Sequence, residues 1–128
     1  MIIRNVYKYL PVFIFFTNKF VHSDTVGKCW GIICTIRPQY KSDEALIQHE
    51  LTHCKQWYRT FGIHGIWYHI SDKYKLKCEV EAYQVQLDWY KNEDDEELHQ
   101  QRLRIYARMI VDCYDLNITF LDAMSLLH

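Results

Sequence analysis

The chain of 128 residues has no long apolar run, no charge imbalance, no CxxC pair and no internal repeat. Each absence narrows the field. The stretch from Tyr9 to Phe16, preceded by Arg4 and Lys8, is the one segment that resembles a targeting signal. It contains Pro11, is too short to span a bilayer and is followed by no small-residue cleavage site, so neither an anchor nor a signal peptide is expected. A formal net charge of -1 and a pI near 6.6 give no electrostatic reason to expect a nucleic acid or an acidic membrane as partner. Cys29, Cys34, Cys54, Cys78 and Cys113 are odd in number and scattered. That pattern indicates neither a full disulfide framework nor a zinc knuckle, and a reducing, cytoplasmic compartment is the simpler reading.

What is present fits one compact domain over residues 1–128, with 49% apolar and 24% charged content. Ten Tyr and four Trp predict a core built partly from rings whose polar tips need partners where they are buried. Val12 to Phe16 and Trp30 to Arg37 are rich in β-branched and aromatic residues and read as strands, with Gly27 and Gly31 punctuating the approach to the second. Pro38 ends that strand. Ser42 or Asp43 then caps a helix running from about residue 43 to Phe61, with Gly62 beyond its end.

An aromatic connection after Gly62 has room for a short helix, and a second long helix is expected from about Lys75 to Tyr90. The acidic run Glu93 to Glu97 suits the first turn of a third helix, which continues through Leu98, Leu103, Tyr106, Ile110 and Cys113. Asn117 marks a turn into a last helix ending near Leu127. Strands first and helices after predict an α+β fold, a small N-terminal β-sheet followed by helices.

The informative residues are His49-Glu50-Leu51-Thr52-His53, an HExxH in the middle of the best-capped helix. Histidines at i and i+4 project from one face a turn apart, so both imidazoles can reach one ion at roughly 2.0–2.1 Å. Glu50 sits between them in sequence, where its carboxylate can flank the open side of the metal and accept a proton from water. Zinc suits such a site because it is a redox-inert Lewis acid that lowers the pKa of water to about 7. With seven His and seven Glu, a chance HExxH has a probability of about 2%. A catalytic zinc site needs a third protein ligand. Glu79 and Glu81, opening the second long helix, are the candidates. They lie about 200° apart around a helix axis, so only one can face the metal.

The combination HELTHCKQW followed by EVEAY resembles the gluzincin type of zincin metallopeptidase, in which HExxH is paired with a downstream ExEAx helix. The resemblance covers roughly residues 25 to 90 and extends to small bacterial and phage proteins carrying HELxHxxQ, with Gln56 at the Gln position. It implies a zincin-like fold with HExxH on the central active-site helix, a Zn2+ cofactor held by His49, His53 and Glu79, and Glu50 as general base in peptide-bond hydrolysis. It also implies a peptide or protein substrate and a bacterial or phage-infected host cell. Glu81 is the substitute ligand. Tyr83 stands where membrane proteases of this group have an Asp that orients a ligating histidine. Asp43, Asp72 or a main-chain carbonyl is then expected to take that role.

Several residues near the motif have two readings. His64, Tyr68, His69 and Tyr74 are chemically able to stabilise an oxyanion and are also ordinary packing residues. The stretch Ile32 to Ile36 resembles the edge strand on which zincins bind extended substrates, with a place inside the sheet as the other reading. Gln56 either caps the site or packs. Trp57, Tyr58, Phe61, Trp67 and Trp89 are expected in the core. Cys78 is a soft alternative to Glu79, as in peptide deformylases that carry HExxH. Two other classes stay open: a catalytically inactive zincin-like binding or structural protein, and a metal-free helical interaction domain.

Overall fold

The computed structural model describes residues 1–21 and 25–128, and across them a four-stranded sheet is followed by five α-helices. This is the α+β order expected from the sequence. β1 (Ile2–Val6) and β2 (Leu10–Phe16) pair antiparallel, as do β3 (Gly27–Trp30) and β4 (Ile33–Ile36). β2 and β4 join the two hairpins in parallel, which gives the order β1-β2-β4-β3.

The sheet departs from expectation at two places. β1 has a weak pattern of its own, with only Val6 buried, and it becomes a strand because β2 offers it a row of main-chain partners. Residues 30–37 are not one strand. Gly31 takes φ +64 in a two-residue loop between Trp30 and Ile33, the kind of hairpin that needs glycine at its first central position. The chain therefore turns back on itself. β4 lies inside the sheet, and β1 and β3 form its two edges.

α1 (Glu44–Arg59) begins where the Asp43 carboxylate accepts the Leu46 N–H at 3.0 Å, which satisfies one of the donors left open at a helix start. It ends two residues sooner than expected, because Phe61 and Gly62 take φ of 52 and 85. Gly62 N–H returns to the Trp57 carbonyl at 3.0 Å. One face of α1 carries Ile47, Leu51 and Cys54, which pack with Val12, Ile14, Cys34 and Ile36 of the sheet. These positions recur at helical spacing on α1 and at alternate positions on β2, the two periods that bury one face of each element.

α2 (His64–Ile70) fills the aromatic connection and buries none of its residues. α3 (Asp72–Asp88) starts three residues before the expected point, because Ser71 accepts the Tyr74 N–H at 3.2 Å. α4 (Glu96–Cys113) is capped by Asp95 with Glu96 and Glu97 in its first turn, and α5 (Phe120–Leu127) by Thr119. α3, α4 and α5 enclose a second apolar cluster of Leu87, Leu103, Ala107, Ile110, Leu116, Ala123 and Leu127. The buried apolar residues thus form two clusters where one core was expected.

Trp57 and Tyr58 are half-buried, but Phe61 is 94% exposed, and Trp67 and Trp89 are exposed as well. Each of the three sits at or beyond a helix end or on the uncovered α2, where hydrophobic periodicity does not operate. Cys29 and Cys34 stand directly opposite each other in the β3–β4 register and form a disulfide. Their spacing in sequence hides this pairing, because it depends on where the hairpin turns. Among the described residues no helix is long and apolar enough to cross a membrane.

Asp43→Ala should lower stability by about 1 kcal/mol without altering the far-ultraviolet circular dichroism of the folded chain. Thermal melting of wild type and variant measures the difference.

Candidate metal centre

α1 is buried on two sides. Ile47, Leu51 and Cys54 meet the sheet, whereas His49, His53 and Gln56, also at i, i+4 and i+7, turn towards α3. Contacts run down α3 as they climb α1: His49 with Tyr83, His53 with Glu79 and Gln56 with the Cys78 carbonyl, while the longer Glu81 side chain reaches Gln56 and Arg59. This is the register of an antiparallel helix pair. It brings the two histidines of HExxH and the first Glu of EVEAY to one point.

His49 Nε2 and His53 Nε2 are 3.2 Å apart. Glu79 places Oε2 3.7 Å from the first and Oε1 3.5 Å from the second. Ligands at 2.0–2.1 Å in tetrahedral array stand about 3.3 Å from one another, so the three side chains match the span of one cation. Glu79 is 1% exposed, and its Oε2 has no hydrogen-bond partner. A buried carboxylate oxygen left in that condition is costly. A cation between the three groups would satisfy it, and the donor set of two imidazoles and one carboxylate is the kind that leaves a fourth position open on zinc.

Gln56 sets the tautomer of His53. Its Nε2 donates to the Cys78 carbonyl at 3.0 Å and to Glu81 Oε2 at 3.2 Å, which leaves Oε1 facing His53 Nδ1 at 3.0 Å. An amide oxygen only accepts, so Nδ1 carries a proton in either charge state, and in the neutral ring Nε2 keeps its lone pair for the metal side. Gln56 therefore does what Asp43 or Asp72 was expected to do. Asp43 instead caps α1, and Asp72 lies in the first turn of α3.

Tyr83 meets His49 through its ring, with centroids 4.4 Å apart, while its hydroxyl turns to Tyr114 at 3.0 Å. The Gln86 amide lies beside His49 and opposes the fall in its pKa that burial causes, yet neither His49 Nδ1 nor Gln86 Oε1 completes a hydrogen bond. Gln86 is a residue of the site that the motif does not reveal. It lies seven positions beyond Glu79, two helical turns further along the same face of α3.

Other expected residues divide. Tyr68 donates to Glu79 Oε1 through a short hydrogen bond, and the His64 and Tyr68 rings lie 6.5 and 6.4 Å from that of His53. Tyr74 stands one step back, bonded to His64 Nδ1 at 2.9 Å, and His69 is exposed. Glu81 is taken by Arg59 at 2.9 Å. Cys78 is not among the three donors that converge; its carbonyl holds Gln56, and its sulfur lies 3.9 Å from His64 Nδ1.

Glu50 faces the β3 edge of the sheet. Cys29 Sγ lies 3.2 Å from its Oε2, and a Cβ at Gly27 would come within 2.8 Å of its Oε1. Gly27 thus leaves the space that the carboxylate occupies, a role that no sequence signal marks.

Burial and mutual charge set the protonation of the cluster. Burial pushes the Glu50 pKa up to about 7, with the Glu79 charge adding to the rise and His53 opposing it. Burial and the neighbouring His53 drive His49 down to about 3. Burial alone would lower His53 too, but the Glu79 carboxylate outweighs it and lifts His53 to about 9. The Glu79 carboxylate in turn stays well below the usual range: its burial is overcome by His53, His49 and the Tyr68 hydroxyl.

Comparison of the chain with family models, curated proteins and solved structures finds no match.

Two outcomes are expected of the site. A cation must displace the proton that Glu79 holds on His53, so metal affinity should fall about tenfold per pH unit below 9, with one proton released per ion. Calorimetry in buffers of different ionisation enthalpy counts that proton. Gln56→Leu should weaken binding of a divalent cation about 10–100-fold, because His53 loses the partner that fixes its tautomer and orientation; competition with a fluorescent chelator reads the change.

Proposed function

We propose that the chain is a zinc-dependent metallopeptidase of the gluzincin type, with His49, His53 and Glu79 as metal ligands and Glu50 as general base. The observation that carries the reading is the convergence of those three side chains around a buried carboxylate oxygen with no other partner. A zinc ion held there would polarise a scissile carbonyl and lower the pKa of the attacking water towards about 7. Glu50, buried and with its pKa lifted to about 7, is matched to take a proton at neutral pH and to return it to the leaving amine. Tyr68 and His64 stand beside His53, where a hydroxyl or an imidazole can meet developing negative charge. The free edge of β3 runs past Glu50 and offers main-chain partners to an extended peptide.

A second reading is a zincin-like binding or structural protein without turnover. It is favoured by the depth of the site, since His49 and Glu50 are 3% and 5% exposed. The two readings separate on Glu50→Gln. Wild type and this variant should each hold one zinc, and His53→Ala and Glu79→Ala should lose it. Cleavage of a peptide library should drop about 10²–10⁴-fold in Glu50→Gln. Equal cleavage by both would remove Glu50 from the reaction, and zinc binding with no cleavage by either would leave the structural reading.

A further inference from the structure

Three sulfur atoms gather behind Glu50. Cys29 and Cys34 are opposed across the β3–β4 hairpin with Cα atoms 4.2 Å apart and are joined by a disulfide. Cys54 of α1 places its sulfur 3.3 Å from that of Cys34 and 3.7 Å from that of Cys29. Cys29 Sγ is also 3.2 Å from both the main-chain oxygen and Oε2 of Glu50.

The link closes a loop with a sequence separation of only 5. A loop so short removes less freedom from the unfolded chain than a long one does, so stabilisation is not the full explanation for it. The two residues also differ in exposure: Cys34 is fully buried, whereas Cys29 is partly exposed on an edge strand. Of the pair, Cys29 is therefore the member that a small thiol or disulfide would approach.

We propose that Cys29 and Cys34 are a redox-active pair that exchanges with low-molecular-weight thiols and disulfides through Cys29, and that Glu50 is the group its state reaches. Towards the disulfide, the Cys29 thiolate attacks one sulfur of a small disulfide RSSR, forms Cys29–S–S–R and expels RS⁻. The Cys34 thiolate then attacks the Cys29 sulfur, closes the protein disulfide and expels a second RS⁻. The two cysteine protons end on the released thiolates; the protein loses two electrons and the small disulfide gains them. In the reduced pair the Cys29 thiol donates to Glu50, and in the oxidised pair neither sulfur has a hydrogen to give.

The same three sulfurs lie close enough together to hold a soft cation. The link between two of them argues against it: with Cys29 and Cys34 joined, Cys54 alone of the three keeps a thiol that could become a thiolate donor.

The exchange does not depend on the peptidase reading; only an effect on turnover would rest on it. The full chain, with and without added zinc, is equilibrated in mixtures of reduced and oxidised glutathione, quenched with an alkylating reagent and mapped by peptide mass spectrometry. The Cys29 and Cys34 peptides should pass together from doubly alkylated to linked in a single two-electron transition, and Cys34→Ser should trap glutathione on Cys29. The proposal is overturned if the pair stays alkylatable in the most oxidising mixture or linked in the most reducing one. None of these readouts is turnover, so a chain inactive towards every peptide would leave the redox result for the pair unchanged.

Discussion

A carboxylate held between two imidazoles in the dry contact of α1 and α3 is the constraint on which the rest of the site depends. Glu79 cannot stay ionised there without compensation, because an isolated buried charge costs several kcal/mol or more. The surroundings supply it in layers: a proton or a cation between His49, His53 and Glu79, the Tyr68 hydroxyl on one carboxylate oxygen, and Gln56 holding His53 in the tautomer that faces inwards. Each partner belongs to a different turn of helix, so the site exists only while α1 and α3 keep their antiparallel register.

That register is held from behind. The Tyr83 ring lies against His49, stacks on Tyr106 of α4 at 5.2 Å and sends its hydroxyl to Tyr114. α3, which carries Glu79, is therefore clamped between α1 on one side and the apolar cluster of α4 and α5 on the other. The second cluster of buried residues is part of what positions Glu79. Close packing of this kind transmits small displacements, because interiors have little free space to absorb them.

On the opposite side of the cluster the sheet governs Glu50. Ile47, Leu51 and Cys54 anchor α1 on β2 and β4, and the carboxylate comes to rest against β3, where Gly27 leaves room and Cys29 makes contact. The three candidate ligands are thus placed by helix-on-helix packing and Glu50 by helix-on-sheet packing. α1 serves both because its two buried faces lie about 200° apart.

Features decided within a few residues were legible in the sequence. Asp43 and Asp95 announce their helices because a cap bonds two or three residues on, and the i, i+4 spacing of His49 and His53 fixes a shared face whatever packs against it. The helical period also required that Glu79 and Glu81 part company, and Glu81 goes to Arg59. Features decided between elements were not legible. That Gln56 orients His53, that Tyr83 offers a ring and not a hydroxyl, that Gly27 makes space for Glu50 and that Cys29 finds Cys34 all depend on which side chains meet across an interface. Those meetings follow from helix register and from the place where Gly31 turns the hairpin. Local spacing sets which way a residue points along its own element, but the packing of elements against each other decides what it points at.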